Sequence, residues 1–218
     1  MIITPAILVG SFEKVVEQLF ILEGLSERVQ IDLCDGVFGL EKTWLPYEEK
    51  ELPHGFLYEF DLMVVDWRKY LSRVLALSAT RVIMHIDTMT EEEISEMIEM
   101  ITPYDAYLGL AVSNDFPVER FVEMVTSITA RYSKVFIQVM GIKKIGAQGQ
   151  PFDDTVPARI AHIKVVCPML EIQVDGSMNP ETMVLVRNAG ATCAVVGSYL
   201  SRSGNIKKTL DELRVNYQ

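Results

Sequence analysis

Histidine and cysteine are scarce in this 218-residue chain, three of each, and acidic side chains outnumber basic ones by 30 to 20. Cys34, Cys167 and Cys193 are odd in number and show no metal-type spacing, which excludes a disulfide scaffold and points to a reducing cytoplasm. A net charge of −10 argues against nucleic acid or an anionic membrane as partner. An anionic substrate would therefore need a local pocket rich in hydrogen-bond donors. No apolar run reaches the roughly 18 residues of a membrane span. The N-terminus lacks the basic-then-apolar order of a signal peptide. Linkers, low-complexity tracts and basic tails are missing too. These absences leave a globular cytoplasmic protein, and the length suits one domain over residues 1–218.

What is present is an alternation. Short apolar, β-branched runs lie at 2–8, 28–33, 57–63, 81–86, 106–112, 134–140, 170–174 and 192–196. Between them come segments of helical period such as "SFEKVVEQLFIL", "EEEISEMIEMI" and "PETMVLVRNAG". Thr90 with Glu93 forms a capping box, and Pro180 marks a first helical turn. The stretch "LEKTWLPYEEKELPHG", between the second and third strands, is the weakest helix of the series. Eight strand–helix repeats predict a closed parallel (β/α)8 barrel, a TIM barrel, with an open doubly wound sheet as the rival.

In such a barrel the chemistry gathers at the C-terminal strand ends. Four of these ends are acidic. The second strand carries Gln30 and Asp32, with Asp35 in its loop; the third carries Asp61; the fourth carries His85 and Asp87; the seventh ends on Asp175. A solvated strand end accounts for any one acid alone, but less well for four at equivalent positions. Carboxylates crowded at a barrel mouth repel one another, and a hard divalent ion relieves that repulsion. Met63 and Met140 also end strands, where they either fill the core or cover a substrate. His54 and His162 read as surface or structural groups. Cys34 has no histidine nearby in sequence to make it a nucleophile. Glycines follow the last three strands in "KKIGAQGQPF", "VDGS" and "VVGSYL", where turns explain them singly and a phosphate site explains them together.

These pieces carry a family resemblance. "ITPAIL", "QIDLCDG", "DLMV", "MHID", "VMGIKKIGAQGQPF", "VDGS" and "AGATCAVVGSYL" follow one another in the order and spacing of the ribulose-phosphate 3-epimerase family. The corresponding family patterns are I-x-P-S-I-L, H-x-D-x-M-D-G, H-L-M-V and V-D-G-G. The chain therefore resembles a divergent member of that family, along nearly its whole length.

The resemblance implies an isomerase of carbohydrate metabolism, in the pentose phosphate pathway, that inverts a carbon beside the ketone of a phosphorylated ketose. Asp32 and Asp175 match the two carboxylates that exchange protons through an enediolate. Metal ligands would be Gln30, Asp32, Asp61 and Asp175, with glutamine and aspartate where the family has histidine. Such a set favours Mg²⁺ or Mn²⁺ over Zn²⁺ or Fe²⁺. Met63, His85, Met140 and Cys34 would contact substrate. Gly146, Gly149, Gly176, Ser177, Gly197 and Ser198 would hold its phosphate. Ala6 stands where the family has a serine. Members of the family are usually homo-oligomers. The departures keep two other readings open, a phosphosugar-binding paralogue without catalysis and a keto-sugar-phosphate decarboxylase or aldolase. Against the latter, Asp32 stands where those relatives carry a lysine.

Overall fold

The computed structural model describes residues 1–39, 41–47, 50–146 and 149–217. Eight parallel strands close into a barrel: β1 (Ile2–Ile7), β2 (Arg28–Cys34), β3 (Leu57–Met63), β4 (Arg81–His85), β5 (Tyr107–Val112), β6 (Val135–Met140), β7 (Ile172–Asp175) and β8 (Cys193–Val196). Each pairs with the next in sequence, and β8 closes on β1 through the register Pro5 with Val196. All eight expected strands are present, and the closed barrel displaces the open sheet.

The helices are α1 (Phe12–Leu22), α2 (Trp67–Ala76), α3 (Glu91–Ile101), α4 (Val118–Thr129), α5 (Val156–Val166), α6 (Pro180–Ala189), the single turn α7 (Ser198–Ser201) and α8 (Ile206–Tyr217). The Thr90–Glu93 capping box forms ahead of α3, each side chain taking the other residue's backbone N–H. Pro180 opens α6, and a second capping box, Asn179 with Thr182, precedes it. Outward strand residues such as Ile31, Phe60, Val82 and Leu110 meet the apolar helix faces in one continuous core. Burying both faces of each strand explains why the runs read as solidly apolar.

One repeat departs from the expectation. Among its described residues, the segment between β2 and β3 contains no helix. Pro46 and Pro53 restrict it, and side-chain bonds hold it extended against β2. Thr43 Oγ1 accepts from Cys34 N–H at 2.8 Å and donates to Asp32 C=O at 2.8 Å. Trp44 packs its ring 5.4 Å from Phe12, beside the start of α1. The loop thus clamps the backbone that carries Asp32.

The barrel interior is unusually polar. Ile83, Ala111 and Phe136 form a small separate apolar cluster within it. Gly109 makes room for it, because a Cβ there would lie 2.4 Å from the Phe136 ring. Glu59, Arg81, Gln30, Gln138, Gln173 and Asp61 are also all buried. Branched apolar side chains more commonly fill such interiors.

Candidate active site

Strand alternation places side chains two residues apart on one face. Glu59 and Asp61, Gln138 and Met140, and Gln173 and Asp175 therefore enter the barrel as pairs, one deep and one near the mouth. Register sets Asp32 beside Asp61 and Met140 beside Asp175. The outcome is a triad, Asp32, Asp61 and Asp175, each offering one oxygen within 4.8 Å of the others. Three carboxylate oxygens at that spacing fit a hard divalent cation.

The triad is held by amides and an imidazole. Gln30 Nε2 donates to Asp32 Oδ1 at 2.7 Å and to Asp175 Oδ2 at 2.9 Å. Gln138 Nε2 donates to Asp61 Oδ2 at 2.7 Å, and His85 Nε2 lies 2.9 Å from Asp61 Oδ1. Burial, then the charges of Asp175 and Asp61, push the Asp32 carboxyl well above the usual carboxylate range. Burial and the Asp61 charge push Asp175 up to about 7, although the Gln30 amide opposes them. Burial disfavours a charged His85, but the Asp61 carboxylate beside it outweighs burial and raises it. Asp175 thus sits where a proton can be gained or lost near neutral pH, and Asp32 beside it is shifted in the same direction.

A cleft opens over Asp32 and Asp175. Its walls include Ala6, Met63 and Met140, together with Gly146, Gly149, Gly176, Ser177, Gly197 and Ser198. The structure therefore brings the two carboxylates and these six glycine-loop residues to one opening; Ala147 and Gln148 lie outside the described residues. Ser177 is spent locally, its hydroxyl donating to the Gln150 carbonyl and tying the β7 loop to the β6 loop. Gln30, Asp61, Cys34 and His85 do not line this cleft. Cys34 is fully buried, its thiol 3.8 Å from Met63 Sδ and pushed up in pKa by burial and by Asp32. His85 packs between Asp61 and the Phe38 ring, 5.1 Å away.

Two mouth acids hold loops. Asp35 accepts from the N–H groups of Val37, Phe38 and Val65 at 2.7–2.8 Å. Asp87 accepts from Ser113 N–H at 2.7 Å. His54 and His162 are exposed, as expected of surface groups. Sequence reasoning missed Arg202, which lines the adjoining cleft with Gly149, Ser177 and Ser198. Its guanidinium lies so near Gly149 that a Cβ there would be 3.3 Å away. The signal was a lone cation directly after the "VVGSYL" loop.

Gly141 fixes the height of Asp175. Its N–H donates to Asp175 C=O at 2.6 Å, and a Cβ on it would lie 2.0 Å from Gly176 C=O. A shift of the β6 or β7 end must relieve that contact. Gly141→Ala is expected to cost about 1–3 kcal/mol in urea unfolding, the usual range for forced overpacking. Any activity dependent on Asp175 should fall more than stability does; a variant equal to wild type in both would remove Gly141 from this role.

Comparisons with known proteins follow the same lines. The family model described as "Ribulose-phosphate 3 epimerase family" matches residues 2–201. The cytoplasmic isoform of ribulose-phosphate 3-epimerase from Oryza sativa subsp. japonica is 24% identical over 215 residues, covering 97% of this chain and 92% of its own. The Schizosaccharomyces pombe ribulose-phosphate 3-epimerase is 23% identical, with the same coverage, over 218 residues. Among solved structures, 3-keto-L-gulonate-6-phosphate decarboxylase from Vibrio cholerae superposes with a TM-score of 0.73 at 12% identity, covering 100% of this chain and 96% of that one. That last likeness is one of fold. With the family model spanning the barrel from β1 to α7, the chain belongs to the ribulose-phosphate 3-epimerase family.

Proposed function

We propose that this barrel epimerises a phosphorylated ketose at the carbon beside its carbonyl. The observation that carries the reading is the shared cleft: Asp32 and Asp175, both raised in pKa, open into the same space as the three glycine loops. One carboxylate takes the proton from one face of the carbon. The other, already protonated, delivers its own proton to the opposite face, so the two carboxyls exchange protonation states over one turnover. Met63 and Met140 wall the reacting carbon and keep water from it. Backbone N–H groups at Gly146, Gly149, Gly176, Ser177, Gly197 and Ser198 receive the phosphate, and Arg202 supplies positive charge at that end.

Asp32, Asp61 and Asp175 are the residues that would hold a divalent ion, with Mg²⁺ or Mn²⁺ preferred by an all-oxygen set. Bound there, the ion supplies positive charge against the negative charge that develops on the substrate's oxygen. Gln30 and Gln138 position the carboxylates, and His85 keeps Asp61 turned inward.

The test is solvent deuterium uptake, followed by NMR, across a panel of ketose phosphates supplied with Mn²⁺. Deuterium at the carbon beside the carbonyl, with appearance of the epimer, is the expected result. Tight sugar-phosphate binding without exchange would make the chain a binding protein. Release of carbon dioxide or formaldehyde would make it a lyase.

A further inference from the structure

Beneath the carboxylates, three buried glutamines share one orientation. Arg81 Nη2 lies 3.5 Å from Gln173 Oε1, and Cys193 Sγ donates to the same oxygen at 3.2 Å. With its oxygen so engaged, Gln173 turns Nε2 toward Glu59 Oε1 (2.7 Å), Gln138 Oε1 (2.9 Å) and Gln30 Oε1 (3.2 Å). Gln138 and Gln30 then have only their nitrogens left to face the mouth. That is where Asp61, Asp32 and Asp175 lie. The chain of donors starts at a guanidinium, which has no acceptor, so its direction is fixed from below.

An amide –NH₂ donates and does not ligate a cation, whereas an amide oxygen does. Turning the Gln30 amide over would set Oε1 against two carboxylate oxygens and Nε2 against the Gln173 nitrogen. The contact with Gln173 then sets donor against donor, which no change of protonation at the mouth relieves. The orientation that satisfies the buried network is therefore the one that withholds the Gln30 oxygen from a metal.

We propose that Gln30 is a built-in competitor for the cation: its amide nitrogen claims the Asp32 and Asp175 carboxylates that a divalent ion would use. The chain then holds its metal weakly and exchangeably, through carboxylates alone. This inference rests on the reading of the triad as the metal site in the proposed epimerase. Where a histidine would add a ligand, Gln30 adds an internal counter-donor, so the position sets metal affinity as well as carboxylate geometry.

Mn²⁺ titration by calorimetry, with the EPR signal of free Mn²⁺ as a second readout, tests it on wild type, Gln30→Met and Gln30→Ala. Gln30→Met keeps the volume and removes the donor; Gln30→Ala answers the same question if methionine does not pack. Each is expected to bind Mn²⁺ at least about tenfold tighter than wild type, a shift of about 1.4 kcal/mol or more. Damage to the fold weakens binding, so a gain is an effect that a purely structural residue would not produce. Equal or weaker binding by folded variants overturns the competitor role. Tight wild-type binding without a gain sinks this inference and leaves the metal-assisted epimerase intact. No Mn²⁺ uptake by any folded variant overturns both the inference and the metal part of that reading, while deuterium exchange still reports separately on the two-carboxylate mechanism.

Discussion

Asp32→Asn and Asp175→Asn are each expected to lower epimer formation by about 10³-fold, within the 10²–10⁴ range typical of a lost general acid or base. Each variant should leave sugar-phosphate binding within a few-fold of wild type, because the glycine loops offer the phosphate backbone N–H groups that neither substitution removes. The two variants should also differ in kind. Inversion needs both carboxylates, but exchange at one face needs only one. With Asp32 replaced, the epimer whose proton faces Asp175 should still exchange slowly with solvent, without inverting. With Asp175 replaced, the other epimer should show that residual exchange. Following deuterium uptake from each pure epimer separates the two faces. Identical behaviour of the two variants, or normal inversion in either, would remove these roles.

Asparagine is the informative substitution because it keeps the shape and the Gln30 contact geometry while removing the exchangeable carboxyl. It also removes one negative charge from a crowded triad, which lowers the repulsion that raises the remaining carboxyls. Some stability gain in either variant is therefore compatible with lost activity. Asp35→Asn is the control. That carboxylate is tied to three loop N–H groups, and burial is outweighed by them so that it sits below the usual range. Its replacement should loosen the loop after β2 and spare the proton chemistry.

The strands and the site's acids were legible in the sequence because both follow from short-range pattern. Apolar β-branched runs show through whether their faces meet helices or other strands, and a carboxylate at a strand's C-terminal end stands out against them. Asp32, Asp61 and Asp175 were found that way. Glu59, Arg81, Gln138 and Gln173 were not, because a polar residue deeper in a strand than its C-terminal end does not say whether it points into the barrel or out. Closure decides that, through registers such as Asp32 with Asp61 and Gln138 with Gln173. The available signal was spacing: each of Glu59, Gln138 and Gln173 lies two residues before a mouth residue and shares its face. The absent helix after β2 is a different failure. Thr43 holds that loop to β2 by bonds whose geometry exists only once the strand is formed.

The second large effect lies at the closed base of the same polar column. Glu59 is fully buried, with Arg81 donating to one carboxylate oxygen and Gln173 to the other. Arg81 also binds Glu171 at 2.6 Å and lies 3.6 Å from the centre of the Phe136 ring. Burial raises the Glu59 carboxyl, and the guanidinium is the main influence that brings it back toward ionisation. Arg81→Met keeps much of the side-chain length but leaves Glu59 buried with one amide donor. Breaking a buried pair from one side costs about 3–5 kcal/mol. For a chain of this length that lowers the melting temperature by roughly 6–20 °C. Replacing both partners, Arg81→Met with Glu59→Gln, should recover part of the loss, because no uncompensated charge then remains inside. Urea unfolding of the two singles and the double closes the cycle. If Arg81→Met alone costs under about 1 kcal/mol, the column does not depend on its guanidinium. The Gln173 oxygen would then need no anchor from below, and the orientation of the Gln30 amide would have to be set at the mouth instead.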